Sequence, residues 1–88
     1  MIRLNSRRIH AAVENFRKAL EIDPKNLLAL FNLGACYINL GDLYSRDART
    51  MGELGKAEEA RKKTEAARIQ YRKAEDYLQR GLRFWPED

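Results

Sequence analysis

Apolar side chains recur near the start of the chain in steps of three and four: Ile9, Ala12, Val13, Phe16, Ala19 and Leu20. That spacing places them on one face of a helix running from about residue 6 to residue 22. Asn5 or Ser6 offers an N-cap side chain. Asp23-Pro24 stops the helix, because the residue before a proline avoids the helical region. Lys25-Asn26 leaves a very short connection, with Asn26 placed to cap the next helix.

From Leu27 onward a second stripe follows the same rhythm: Leu30, Leu33, Tyr37, Leu40, Tyr44, Met51 and Leu54. Asp47 is its one miss, and the stripe is a heptad-type seam. Gly34 and Gly41 lie on or beside it, seven apart. Glycine inside a helix costs up to about 1 kcal/mol relative to alanine, so the pair points to a neighbouring backbone at close range. The competing reading ends the helix at Gly41-Asp42 and starts a short separate helix at 43–51. Gly52 and Gly55 bracket the next expected turn. A third helix is expected over 56–84, with a seam of Ala57, Ala60, Thr64, Ala67, Tyr71, Ala74, Leu78, Gly81 and Trp85. This seam is small in its first half and large in its second. At about 25 cal/mol per Å2 of buried apolar surface, small side chains contribute little, so the outer part of the hairpin should be its weakest. Pro86 ends the helix.

Composition narrows this all-α picture. The chain has 88 residues, 44% hydrophobic and 34% charged, which suits one small folded domain over 1–88. A chain this short buries only about 60–65% of its unfolded surface, so its core is thin or completed by a partner. One cysteine, Cys36, excludes an internal disulfide, and with a single histidine, His10, excludes a Cys/His zinc site. No unbroken apolar run approaches the roughly 20 residues of a membrane span, so membrane insertion is not expected. Residues 1–13 hold Arg3, Arg7 and Arg8 and no acid, which faintly matches an organellar transit peptide. The segment nevertheless runs without a break into the first helix, and a cytoplasmic setting is expected.

The two proline-ended segments also overlay on one another. Ala12, Phe16, Ala19 and Pro24 have the same spacings as Ala74, Leu78, Gly81 and Pro86. Between them lie Leu30, Leu33, Gly34 and Tyr37. This resembles the tetratricopeptide repeat, a helix–turn–helix unit of 34 residues. In that family a large residue, Leu-Gly and Tyr mark the first helix, and Ala, an aromatic, Ala and Pro mark the second. The resemblance implies about one and a half repeats. Residues 6–23 would be the second helix of a truncated first repeat, and 27–86 an extended second repeat. An ordinary repeat would put its second-helix alanine at position 46, whereas the matching residue is Ala74, so the repeat carries a 28-residue insertion. Shared between both helices, that lengthens each arm by about 21 Å at 1.5 Å per residue and puts the tip near Gly52 and Gly55.

No catalytic, cofactor-binding or metal-ligating constellation is visible. His10 and Cys36 fall on different helices, and Glu58-Glu59 and Glu75-Asp76 are adjacent pairs that face apart. The chain is therefore not expected to be an enzyme or to need a cofactor. Arg61, Lys62, Lys63, Arg68, Arg72 and Lys73 could form a phosphate-binding stripe. Interspersed acids leave a net charge of only +3 over 42–73, so RNA or ribosome binding is the alternative rather than the main reading. The resemblance implies a protein or peptide partner, held on the inner face of the first-type helices, where Asn32 and Asn39 lie. Phe31 and Ala35 stand where a charged clamp for an acidic tail would need other residues. Two apolar surfaces are expected to lack a cover: the Ile9, Val13, Phe16 and Leu20 face, and the Phe84-Trp85 end. A homo-oligomer, with hairpins exchanged between copies, or a partner chain is expected to cover them. A longer or engineered repeat array is a further possible origin.

Overall fold

The computed structural model describes residues 6–86 and consists of three helices: α1 (Ser6–Ile22), α2 (Leu27–Glu53) and α3 (Ala57–Arg83). Ser6 is the first residue of α1, and the alternative cap Asn5 lies outside the described residues. At the other end of α1, Asp23 Oδ1 accepts from the Lys25 backbone N–H at 3.1 Å, and the Asn26 N–H donates to the Asp23 carbonyl. This tight turn reverses the chain. Asn26 then caps α2, its Oδ1 accepting from the Ala29 N–H at 3.1 Å.

α2 runs through Gly41-Asp42 without a break, so the stretched hairpin is the observed form and the separate 43–51 helix is not. It ends in a backbone motif that only glycine favours. The Lys56 N–H donates to the Met51 carbonyl at 2.8 Å and the Gly55 N–H to the Gly52 carbonyl at 3.1 Å, with Gly55 at φ +77°. A residue in the left-handed region at this position closes the last carbonyls of the helix. α3 starts at once, with Glu58 and Glu59 in its first turn and Arg80 and Arg83 in its last. Both placements suit the helix dipole.

Packing follows from the position of α2 in the middle. It packs against both α1 and α3, while among the described residues no Cα of α1 comes within 8 Å of one in α3. The core joins Ile9 and Val13 of α1 to Leu33, Tyr37 and Leu40 of α2 and Ala74 of α3. Phe16, Leu20, Cys36, Leu43 and Tyr77 pack around it half-buried. This corrects one expectation. The Ile9, Val13, Phe16 and Leu20 face of α1 is covered by the hairpin itself, because α2 offers one side to α1 and another to α3.

The glycines show how α2 and α3 come together. A Cβ at Gly34 would lie 2.5 Å from Leu78 Cδ2, one at Gly41 2.6 Å from the Tyr71 ring, and one at Gly81 2.6 Å from the Phe31 ring. The neighbours are large side chains, not the backbone that the sequence pattern pointed to. Gly34 and Gly41, seven apart on α2, receive Leu78 and Tyr71, seven apart on antiparallel α3. Tyr71 Oη also donates to Asp42 Oδ1 at 2.5 Å and lies 3.4 Å from Ser45 Oγ, which ties the two helices together at mid-length.

The seams reach less far than their periodicity implies. Leu54 and Ala57 are exposed at the tip, and Thr64 is exposed with Oγ1 turned to the Ala60 carbonyl. Between Gly41 and Ala67 no residue is buried, and Tyr44, Ala48, Met51, Ala60, Lys63 and Ala66 are among those half-buried. Among the described residues α2 is long and apolar enough to cross a membrane by length and composition, although polar residues such as Asn32 and Asn39 break its apolar runs. The fold gives this apolarity another use, since a helix flanked on two sides needs apolar residues around most of its circumference.

Candidate partner-binding surface

Fifteen consecutive residues of α2, 27–41, carry no charge, in a chain one-third charged. The buried positions explain part of that: Ala29, Leu30, Leu33, Tyr37 and Leu40 are core. The outward positions need another reason. Leu28, Asn32, Ala35 and Asn39 recur in steps of four, three and four, so they share the face of α2 turned from its neighbours. Leu28 is 70% exposed, Ala35 is exposed, and Asn32 and Asn39 are half-buried. Ile38, 38% exposed, borders the stripe on the α3 side. Asn32 Nδ2 donates to the Leu28 carbonyl at 2.7 Å, so one of its donors is spent on its own helix.

The Phe84-Trp85 end divides. Phe84 caps α3 and is half-buried, with Lys25 Nζ 5.5 Å from its ring centroid. Trp85 is 62% exposed. Lys25 thus joins the α1–α2 turn to the end of α3, a contact between two short segments that no periodicity announces. Sequence reasoning also missed Ile22 and Leu82, exposed at 88% and 62%. Their signal was present: both are large apolar residues that fall outside the seams.

Burial pushes the Cys36 thiol up, away from the thiolate form that nucleophiles need. Burial also raises the Tyr37 phenol, and Tyr77 stacks on it at 5.7 Å. The hydrogen bond to the Asp42 carboxylate is the main cause that raises the Tyr71 phenol. His10 is exposed and lines a cleft of about 380 Å3 with Ser6, Leu40, Leu43, Tyr44, Asp47 and Lys63. Among the described residues no group of three His, Cys, Asp or Glu is arranged to hold a metal. Within the basic set, Arg61 pairs with Glu58 at 2.7 Å, Lys63 lies 4.0 Å from Asp47 and Arg68 3.8 Å from Glu65.

The family marks sit where the packing needs them. Leu33, Tyr37 and Ala74 share the core, and Leu78 fills the space over Gly34. Ala12, Phe16 and Ala19 are half-buried, while Pro24 and Pro86 are exposed just past the ends of α1 and α3. Comparison with family models agrees: a tetratricopeptide repeat model matches residues 15–62, more than half of the chain. The chain belongs to the tetratricopeptide repeat family. A second tetratricopeptide repeat model matches residues 1–26. No curated protein and no solved structure matches the chain. Repeats of this family generally mediate protein–protein interaction and are typically non-enzymatic scaffolds.

Proposed function

We propose that this tetratricopeptide repeat chain is a small interaction scaffold, without catalysis of its own, that receives a protein segment on the uncharged stripe of α2. The observation that carries this reading is the absence of charge from 27–41, including outward positions where water would accept any charged side chain. Exposed apolar surface kept free of charge marks a contact region. Leu28, Ala35 and Ile38 supply apolar contact. Asn39, and the part of Asn32 not engaged by its own helix, supply amide hydrogen bonds. A neutral, partly apolar segment fits this stripe better than an acidic tail, since Phe31 and Ala35 bring no positive charge. The exposed end around Trp85 supports a second part of the reading, that another chain completes the molecule there. A reducing, cytoplasmic setting belongs to the same proposal and suits the single half-buried thiol.

Peptides selected against the purified chain and titrated by calorimetry provide the test. Binding is expected to be lost in Ala35→Glu and Ile38→Glu, weakened severalfold in Asn39→Ala, and unchanged in Glu58→Ala at the tip. Peptides that bind the wild type and both glutamate variants alike would overturn the assignment of the stripe.

A further inference from the structure

We infer that Tyr71 is a latch that sets how far the hairpin opens, so that the arm beyond it opens and closes while the base stays shut. Three notches join α2 to α3. The Phe31 ring lies over Gly81, Leu78 over Gly34 and the Tyr71 ring over Gly41. The last two lie seven residues apart on each helix, or about 10 Å at 1.5 Å per residue. The Tyr71 notch is the outermost. It alone of the three adds side-chain hydrogen bonds across the helices, with Oη donating to Asp42 Oδ1 at 2.5 Å and lying 3.4 Å from Ser45 Oγ. Other side-chain bonds of α2 and α3 stay within one helix, as from Asn32 to Leu28, Thr64 to Ala60 and Gln79 to Glu75.

Two further features change at this level. Ala67, one turn beyond Tyr71, is the last buried residue toward the tip; from 42 to 66 every residue is half-buried or exposed. The described part of α1 also begins here, since Ser6 and His10 line a cleft with Leu40, Leu43 and Tyr44. What joins the arms farther out lies near the surface. Lys63 Nζ is 4.0 Å from Asp47 Oδ2 and 5.5 Å from the centroid of the Tyr44 ring, and exposed pairs of this kind hold weakly. An opening that starts at the Gly55 turn therefore meets little resistance until it reaches Tyr71. To go farther it must break both Oη contacts and lift the ring out of the Gly41 notch. Local openings run in contiguous units that end where packing becomes firm.

The position of the latch divides the molecule by role. The uncharged run 27–41 ends at Gly41, the residue that receives the Tyr71 ring. The α2 stripe thus lies wholly on the base side and keeps its shape when the arm opens. On the arm side, the half-buried Tyr44, Ala48, Met51 and Ala60 come free on opening.

Hydrogen exchange of the full chain, followed amide by amide by NMR, tests the latch, with circular dichroism confirming that each variant keeps its helices. In the wild type, protection should step up on passing from the arm to the base. Tyr71→Phe keeps the ring and removes both Oη contacts. Amides of 45–50 and 60–66 should then exchange about three- to tenfold faster, the effect of losing a side-chain hydrogen bond, while those of 29–37 and 75–81 keep the wild-type rate. Tyr71→Ala also empties the notch and should speed the arm further, by more than tenfold. Arm exchange unchanged in Tyr71→Phe would overturn the inference, and so would arm and base accelerated by the same factor. The outcome separates from that of the scaffold reading. Peptides that bind the α2 stripe should bind Tyr71→Phe as they bind the wild type, and Ala35→Glu should abolish that binding without changing exchange in the arm.

Discussion

The base and the tip of the α2–α3 hairpin share one backbone geometry and differ in what holds it. At the base, α2 buries Leu30, Leu33, Tyr37 and Leu40, and α3 brings Ala74 and Gly81 against it. At the tip no residue between Gly41 and Ala67 is buried. There the arms rest on helix propensity, the Gly55 turn and exposed ion pairs such as Arg61–Glu58, each contributing a few tenths of a kcal/mol. Equal helical order thus coexists with unequal support. Two 27-residue helices, each about 40 Å long, can be stabilised at one end and extend from it, since a helix satisfies its own backbone wherever it runs.

The sharpest way to break this contrast is to remove a buried side chain at the base. Leu33→Ala, at a site with no exposure, should cost about 2–5 kcal/mol by chemical denaturation, a large share of the roughly 4–13 kcal/mol expected for a chain of this size. Met51→Ala near the tip, by the same measurement, should cost less than about 1 kcal/mol. Comparable losses at both sites would show that the tip is as firmly packed as the base.

The glycines predict effects of opposite sign. Gly34→Ala forces its Cβ to within 2.5 Å of Leu78 and should destabilise the fold by about 1–3 kcal/mol, partly relieved when Leu78→Ala is added. Gly52→Ala meets nothing within 4 Å and is helical, so it should raise stability by about 0.5–1 kcal/mol. Thermal melts of the two variants moving in the same direction would refute the packing described here.

Hydrogen exchange gives the same contrast without mutation. Amides of 45–53 and 57–65 should exchange well before those of 29–41 and 67–81, because the tip can open without unpacking the core. The smallest effect is in pH. The Tyr71 and Tyr37 phenols are raised above the ordinary value of 10.0 in the folded chain. The folded state therefore keeps protons that the unfolded chain has lost above that pH, and stability should fall as pH rises through the folded values. Tyr71→Phe should make this alkaline decline shallower.

Some of this was legible in the residues and some was not, for physical reasons. Asn26, Asp23-Pro24 and Gly55 act through bonds spanning a few residues, so helix boundaries could be read within about one residue. The overlay of Ala12, Phe16, Ala19 and Pro24 on Ala74, Leu78, Gly81 and Pro86 identified the repeat, and the glycines identified the tip. The candidate surface was only half legible. Asn32 and Asn39 were found from their register, but that Asn32 spends a donor on the Leu28 carbonyl depends on a rotamer. Ile22, Leu28 and Leu82 form a patch only because the α1–α2 turn and the end of α3 meet.

By itself, then, the sequence determined the helical class, the outer limits of the helices, the place of the turn and the repeat they make, since each follows from periodicity and short-range hydrogen bonding, while the continuity of α2 through Gly41-Asp42 came from the structure. The tertiary structure alone decided which apolar faces cover one another. The apolar face of the first helix looked uncovered in the sequence and packs on the hairpin, and Gly34 and Gly41, which promised backbone contact, receive Leu78 and Tyr71 instead. Periodicity fixes the angle of a side chain about its own helix axis. Only the placement of a second axis beside it decides whether that side chain meets water, backbone or another ring.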